Sequence, residues 1–397
     1  MFNVKTWNYK QINQIHIELS NNCNAMCPMC PRQTAGRIKE YPLHSISLDE
    51  FQKWLPPDFI RKIRVWIFCG TRGDPMMCLE LLEILKYILS INPAAKFHMN
   101  TNGSTRNSAF WTELGKIMSV RFKRGVVFSL DGLEDTNHLY RRNVNWKRVM
   151  ENAKTFIAAG GQAHWEFLIF KHNEHQLAEA EAQAKEMGFV HFVPKKALGF
   201  AQSGTTPAYD KDGKVIYLVE APTLTENQNY IGVNTVPEFD NLNAEECVRN
   251  DTVWEQTTLA SALNISNRFV TSEEVSNLKN AVIQCRSIDG DRQEHEFYIG
   301  ADGIVSPCCY VGTNGFSQST SMVDQQLQIR MRQYGLDKFN LAVTPLVEIV
   351  QHLNTLYAKS WESDVEFAGR IMFCAKTCTK NSAINTIYTH TKNSRDK

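Results

Sequence analysis

Ser20-Asn-Asn-Cys23-Asn-Ala-Met-Cys27-Pro-Met-Cys30-Pro-Arg32 follows directly on the alternating apolar segment Ile15-His-Ile-Glu-Leu19. A loop this tight can aim three thiolates at one point. Thiolates are soft ligands suited to iron–sulfur clusters or zinc. A cubane cluster takes one ligand per iron, so three cysteines leave one iron open to another partner. Spacing alone leaves zinc, an electron-transfer cluster and a reactive cluster all in play.

Moving outward, short apolar or alternating stretches predict strands at 14–20, 62–69, 95–101, 124–131, 163–170 and 190–196. Helical patterns lie between them. Trp146, Val149, Met150, Ala153, Phe156 and Ile157 form a stripe at helix spacing that stops at Gly160-Gly161. Leu81, Leu85, Ile88 and Leu89 form a second, closed by Asn92-Pro93, and His175 to Met187 a third, stopped by Gly188. Such strand–helix repeats imply a parallel sheet with right-handed crossovers.

The strand faces narrow the fold. Ile15, Ile17 and Leu19 oppose His16, Glu18 and Ser20; Phe97 and Met99 oppose His98 and Asn100; Trp165, Phe167 and Ile169 oppose His164 and Glu166. A flat sheet covered by helices on both sides would be apolar on both faces. The expected fold is therefore α/β, a partial (β/α)6 TIM-like barrel with a polar lumen. A hydrogen-bonded polar core is the alternative reading of any single one of these residues. Glu18, His98, Glu166 and Lys195 are candidate substrate contacts.

Composition bounds the function. The chain has 397 residues and a net charge of +1, with no basic run, so a nucleic-acid partner has no support. No apolar run reaches the ~18 residues that span a bilayer, and the N-terminus shows no signal-peptide core. A cytoplasmic location is the expectation. In a reducing compartment the 11 cysteines then read as metal ligands or redox groups rather than disulfides.

Cys-x3-Cys-x2-Cys after a first strand resembles the radical SAM superfamily, and the resemblance covers about residues 14–196. It implies that Cys23, Cys27 and Cys30 hold a [4Fe–4S] cluster whose fourth iron binds the amine and carboxylate of S-adenosylmethionine (SAM). Met29 stands where the family often has an aromatic residue near the adenine. Gly70-Thr-Arg-Gly73-Asp74-Pro75, after strand two, is similar to the family's Gly-Gly-Glu-Pro motif at the SAM amine, with Asp for Glu. Thr101-Asn102-Gly103, after strand three, resembles its Thr-Asn-Gly turn. Ser129-Leu-Asp131-Gly132 followed by Arg141-Arg142 resembles the Ser-x-Asp-Gly…Arg arrangement, in which Ser contacts SAM and an Arg pairs with its carboxylate. Either Arg141 or Arg142 suits that role. Taken singly, each of these polar residues also reads as a cap or a surface ion pair.

A second cysteine set comprises Cys285, Gly303-Ile-Val-Ser-Pro-Cys308-Cys309 and Cys374-Ala-Lys-Thr-Cys378. Asp302-Gly303 is a hairpin-turn signal. The pattern resembles a SPASM/twitch auxiliary-cluster domain. It implies one auxiliary [4Fe–4S] cluster on Cys285, Cys308, Cys374 and Cys378, with Cys309 as the alternate to Cys308; structural zinc is the runner-up. Cys69, Cys78 and Cys247 read as ordinary buried thiols. His44, His172, His175 and His191 read as surface or core residues, and Arg72 as a loop arginine that could reach a substrate anion.

The expected division is 1–199 radical SAM core, 200–284 linker or insert, 285–380 auxiliary-cluster domain and 381–397 polar tail. The expected partners are a peptide or small-molecule substrate and an external reductant of flavodoxin or ferredoxin type. A non-catalytic iron–sulfur electron-transfer protein and a zinc-structured binding protein are the alternatives from other classes.

Overall fold

The computed structural model describes residues 6–34, 36–38, 42–120, 123–197, 200, 203–223, 285–289, 295–314, 329–361 and 374. Six parallel strands run in chain order: β1 (Ile12–Ile17), β2 (Val65–Phe68), β3 (Lys96–Thr101), β4 (Arg124–Ser129), β5 (Ala163–Ile169) and β6 (His191–Lys196). Each neighbour follows the last in sequence, the signature of repeated crossovers in one direction. The fold is the expected partial TIM-like barrel.

Helices α1 (Leu48–Trp54), α2 (Leu81–Ile91), α3 (Ser108–Ile117), α4 (Trp146–Ala158) and α5 (Leu177–Met187) fill the crossovers. Their starts are written locally. Ser47 and Glu50 form a capping box at α1, and the Asn145 side chain accepts from the Arg148 N–H at α4. Asn92 and the left-handed Gly188 close α2 and α5. The core lies between helices and sheet, where Trp66, Trp111, Trp165, Phe97, Phe128 and Phe156 are fully buried. Each such side chain contributes about 1.5–3 kcal/mol by burial.

The sheet does not stop at β1. Thr205–Tyr209 (β7) and Val215–Glu220 (β8) form a separate antiparallel hairpin, but His295–Ile299 (β9) adds to the outer edge of β1 in parallel. Val305–Ser306 (β10) then pairs antiparallel to β9 through a turn in which Gly303 has φ +79°. The expected hairpin at Asp302-Gly303 therefore extends the barrel sheet to eight strands. After it come α6 (Cys309–Asn314) and α7 (Leu346–Leu353). Among the described residues no helix is long and apolar enough to cross a membrane.

The polar face divides into two halves. At β1 it is closed: His16, Glu18 and Ser20 are buried, so here the hydrogen-bonded polar core is what forms. At β3, β5 and β6 it is open, with His98 exposed and Glu166 and Lys195 partly exposed.

His16 shows the cost of the closed half. Its Nε2 lies 2.8 Å from the Cys69 carbonyl and its ring meets Tyr298 edge-on at 5.1 Å. Burial lowers the imidazole to about 4, against the Cys69 hydrogen bond, which raises it. The unfolded chain therefore takes up a proton near pH 6.5 that the folded chain refuses until about 4. Stability is complete above 6.5 and falls with pH across that window, by roughly 3 kcal/mol at its end. Urea melts at pH 7 and 4.5 should show this component in the wild type and lose it in His16→Gln; an unchanged difference would assign it elsewhere.

Candidate active site

The cysteine loop leaves the C-terminal end of β1, and the loops after β2, β3 and β4 meet it there. This is where parallel α/β sheets present their ligand sites. Cys27 is buried; Cys23 and Cys30 are half-buried. The Cys30 N–H donates to the Cys27 carbonyl at 3.0 Å, and the Met26 N–H to the Arg142 carbonyl at 2.9 Å. The buried Arg32 guanidinium donates to the carbonyls of Cys23, at 3.0 Å, and Ala25. Arg32 thus braces the loop from inside, a role its place two residues after Cys30 did not reveal.

Two donors reach the sulfurs. Asn102 Nδ2 lies 3.6 Å from Cys23 Sγ, and Arg141 Nη1 lies 3.7 Å from Cys27 Sγ. Burial first, then the Asp74 carboxylate, pushes the Cys23 thiol up to about 12. Burial also raises Cys27, with Arg141 opposing. Thiols so placed ionise only beside a strong positive charge, and a bound metal group supplies one by deprotonating its ligands outright. Three cysteines on one loop, with hydrogen-bond donors on two of the sulfurs, fit an iron–sulfur cluster. Among the described residues no three His, Cys, Asp or Glu side chains lie close enough to hold a single metal ion. A cubane spreads its thiolates over different irons.

The two arginines separate cleanly. Arg141 Nε is 2.5 Å from Asp131 Oδ2, and Asp131 Oδ1 accepts from the Leu168 N–H at 2.7 Å. Burial opposes the Arg141 charge, but Asp131 and then Cys27 outweigh it and raise the guanidinium above its ordinary value. Arg142 turns to the Tyr209 carbonyl on β7. Arg141 is therefore the arginine at the cysteine loop. Ser129 ends β4 in register with Glu166 on β5, and Met29 packs half-buried at the core edge.

Asp74 has a denser set of partners than a ligand carboxylate needs. It is 4% exposed. Its oxygens accept from Thr101 Oγ1 (2.8 Å), the Asn102 N–H (2.8 Å), Asn102 Nδ2 (2.8 Å) and the Met76 N–H (3.0 Å). It thus sets the Asn102 amide that faces Cys23. Asp74→Ala would leave four buried donors without an acceptor. At about 1–3 kcal/mol each, the loss is expected to reach at least ~3 kcal/mol in a denaturant melt. Asp74→Asn, which keeps one acceptor oxygen, should lose less; equal losses would point to charge rather than hydrogen bonding.

Glu18 is also enclosed. Its carboxylate accepts from the Arg72 and Gly73 N–H groups at 2.6 and 2.8 Å and from the Tyr298 hydroxyl at 2.8 Å. Burial raises its carboxyl, against Arg72 and these donors. Of the other candidate substrate contacts, Lys195 and Glu166 form a 2.6 Å ion pair on the open face, and His98 lies on β3 in register with Ile67 and Gly125. Gly70 and Gly73 allow close approach of protein backbone: a Cβ on Gly73 would stand 1.7 Å from the Ser20 carbonyl oxygen.

Two cysteines of the second set, Cys374 and Cys308, lie beside Tyr357. Cys285 and Cys374 are buried, Cys308 and Cys309 half-buried, and Cys378 lies outside the described residues, as does Cys247. Ser287 Oγ donates to the Pro307 carbonyl at 2.7 Å, joining the Cys285 turn to the Cys308 turn. The Tyr357 hydroxyl is fully buried and has no hydrogen-bond partner among the described residues. Burial, then Cys374 and Cys308, raises its phenol well above the ordinary value. A buried donor left open beside thiols fits a sulfur-bearing group between them.

The chain is thus an α/β protein, a parallel partial barrel with a three-cysteine loop at its C-terminal mouth. Residues 17–184 match the family model described as the radical SAM superfamily. Solved structures with a similar course include Streptococcus suis SuiB bound to precursor peptide SuiA, at 13% identity and TM-score 0.44, covering 80% of this chain and 64% of that one. Native anSMEcpe with bound AdoMet is 14% identical with TM-score 0.46, covering 95% of each chain. BtrN in complex with AdoMet and 2-DOIA is 11% identical with TM-score 0.33, covering 85% of this chain and 82% of that one. In its match to the peptide-bound SuiB structure, this chain spans less than two thirds of that chain's length.

Proposed function

We propose that the chain is a radical SAM enzyme. Cys23, Cys27 and Cys30 would hold a [4Fe–4S] cluster, and the loops carrying Gly70, Gly73, Asn102, Ser129 and Arg141 would enclose SAM. The observation that carries this reading is the approach of Asn102 and Arg141, from two different strand ends, to the sulfurs of Cys23 and Cys27. When bound, the reduced cluster and SAM supply a 5′-deoxyadenosyl radical that takes a hydrogen atom from substrate; the protein contributes binding, orientation and exclusion of water. Arg141, held by Asp131, offers a fixed cation to a carboxylate. The open polar face with His98, Glu166 and Lys195 would bind a peptide or small-molecule substrate. The electron would come from an external flavodoxin- or ferredoxin-type reductant.

Residues 285–380 would form an auxiliary domain with one [4Fe–4S] cluster on Cys285, Cys308, Cys374 and Cys378. The buried Tyr357 hydroxyl, which has no partner among the described residues, supports a group at that place. After anaerobic purification, about eight irons and eight sulfides per chain are expected from two cubanes. One zinc and no sulfide would sink the proposal. With SAM and a strong reductant the protein should release 5′-deoxyadenosine. Cys374→Ala is expected to halve the iron content while keeping the first cluster's spectrum; loss of both clusters would argue against two separate sites.

A further inference from the structure

The Gly70–Asp74 loop is held from a distant part of the chain. Glu18 Oε1 accepts the backbone N–H groups of Arg72 (2.6 Å) and Gly73 (2.8 Å). Glu18 Oε2 accepts the Tyr298 hydroxyl at 2.8 Å, across 280 residues of sequence. The same hydroxyl lies 3.0 Å from Thr71 Oγ1. Arg72 Nη2 reaches Asp302 Oδ2 at 3.3 Å, and its Nε stands 3.7 Å from Glu18 Oε2. Three successive loop residues are thus fastened, directly or through Glu18, to β9 and the turn that follows it. The Glu18 side chain has no exposed surface and Arg72 is 11% exposed, so water does not substitute for these contacts. Surface pairs would deserve little weight; a buried carboxylate with several donors is strongly directional.

We propose that Glu18 and Tyr298 are positioning residues that set the Gly70–Asp74 loop for SAM, so that the C-terminal hairpin forms part of the SAM-binding machinery. The inference rests on the reading of this loop as a SAM contact. A plain structural brace would affect folding stability only. A positioning clamp also couples ligand and hairpin, and such coupling is reciprocal: SAM should steady the hairpin just as the hairpin steadies the loop.

Tyr298→Phe removes only the hydroxyl, and Glu18→Gln the charge and one of the two acceptor oxygens. On anaerobically reconstituted full-length protein, both variants should keep the iron content of the first cluster. Amide hydrogen exchange at Arg72 and Gly73, measured without SAM, should accelerate about tenfold in Tyr298→Phe, the effect of one lost charge-assisted hydrogen bond. The dissociation constant for SAM, by equilibrium dialysis, should rise by a similar factor. In the wild type, SAM should slow exchange across residues 298–303. Val347→Ala, at an exposed site on α7, should change none of these. Unchanged amide exchange in Tyr298→Phe overturns the clamp. Faster exchange with unchanged SAM affinity reduces it to a brace and overturns the positioning role. A wild type that binds no SAM overturns the SAM reading itself, and the exchange measurement still decides whether the clamp exists.

Discussion

Cys27→Ala is expected to abolish the first cluster and bring 5′-deoxyadenosine formation down to background while leaving the barrel folded. Cys27 is the most enclosed of the three loop cysteines, at 8% exposure, and Arg141 approaches its sulfur. With two thiolates left, the loop has too few ligands to retain a cubane. The fold should survive because nothing charged is orphaned: Arg141 keeps its 2.5 Å contact with Asp131. The loss in stability is that of a small buried thiol, about 1 kcal/mol. Iron and sulfide assays, a denaturant melt and chromatographic measurement of 5′-deoxyadenosine would check all three parts. Undiminished product in the variant would remove Cys27 from the centre of the reaction.

Gly73→Ala is expected to be strongly destabilising, since it meets the shortest Cβ contact among the described glycines. The new Cβ would meet the Ser20 carbonyl oxygen at 1.7 Å, the Ser20 carbonyl carbon at 2.6 Å and Asn21 Cα at 2.8 Å. All three are backbone atoms, so no side-chain rotation relieves the clash. The loop would have to withdraw, breaking the Gly73 N–H bond to Glu18 and the 2.8 Å bond from the Asp74 N–H to the Asn22 carbonyl. A loss above about 4 kcal/mol is expected, the range reached when overpacking and broken buried hydrogen bonds combine. Gly188→Ala is the contrast: its φ of +88° is strained, but the new Cβ would meet only Ile157 Cγ2, at 3.3 Å. That variant should lose about 1–2 kcal/mol. Similar losses in the two variants, measured by urea denaturation, would mean that the β1 and β2 loops are not packed backbone to backbone.

Both predictions concern residues that stood out in the sequence, for different reasons. Cys23, Cys27 and Cys30 announce themselves because a metal loop is local: ligand type and spacing lie within eight residues. The strands were legible for a similar reason. Alternation marks β3 and β5 at nearly their full lengths, and Gly188 marks the end of α5. β1 ends at Ile17 rather than Ser20, because beyond it the side chains are taken up by loops: Glu18 by Arg72 and Gly73, Ser20 by Ser45. Periodicity records which way a side chain points but not what it meets, so Glu18 read as a lumen residue.

The choice between Arg141 and Arg142 shows the same limit at the shortest range. Adjacent residues carry identical side chains, and only the turn after β4 directs one to Cys27 and the other to the Tyr209 carbonyl. Arg32 and Tyr298 had no motif to identify them, since their partners are loop carbonyls and Glu18.

The sequence by itself determined the repeating strand–helix fold, the three-cysteine loop and the likeness to the radical SAM superfamily, because each is carried by spacing within short segments. The tertiary structure alone decided that β9 joins the barrel beside β1, that Glu18 is enclosed by Tyr298, and which donors face Cys23 and Cys27. The Glu18–Tyr298 contact alone joins residues 280 positions apart. The geometry of these contacts follows from how the strands and loops stack, a property of the whole chain that no local pattern encodes.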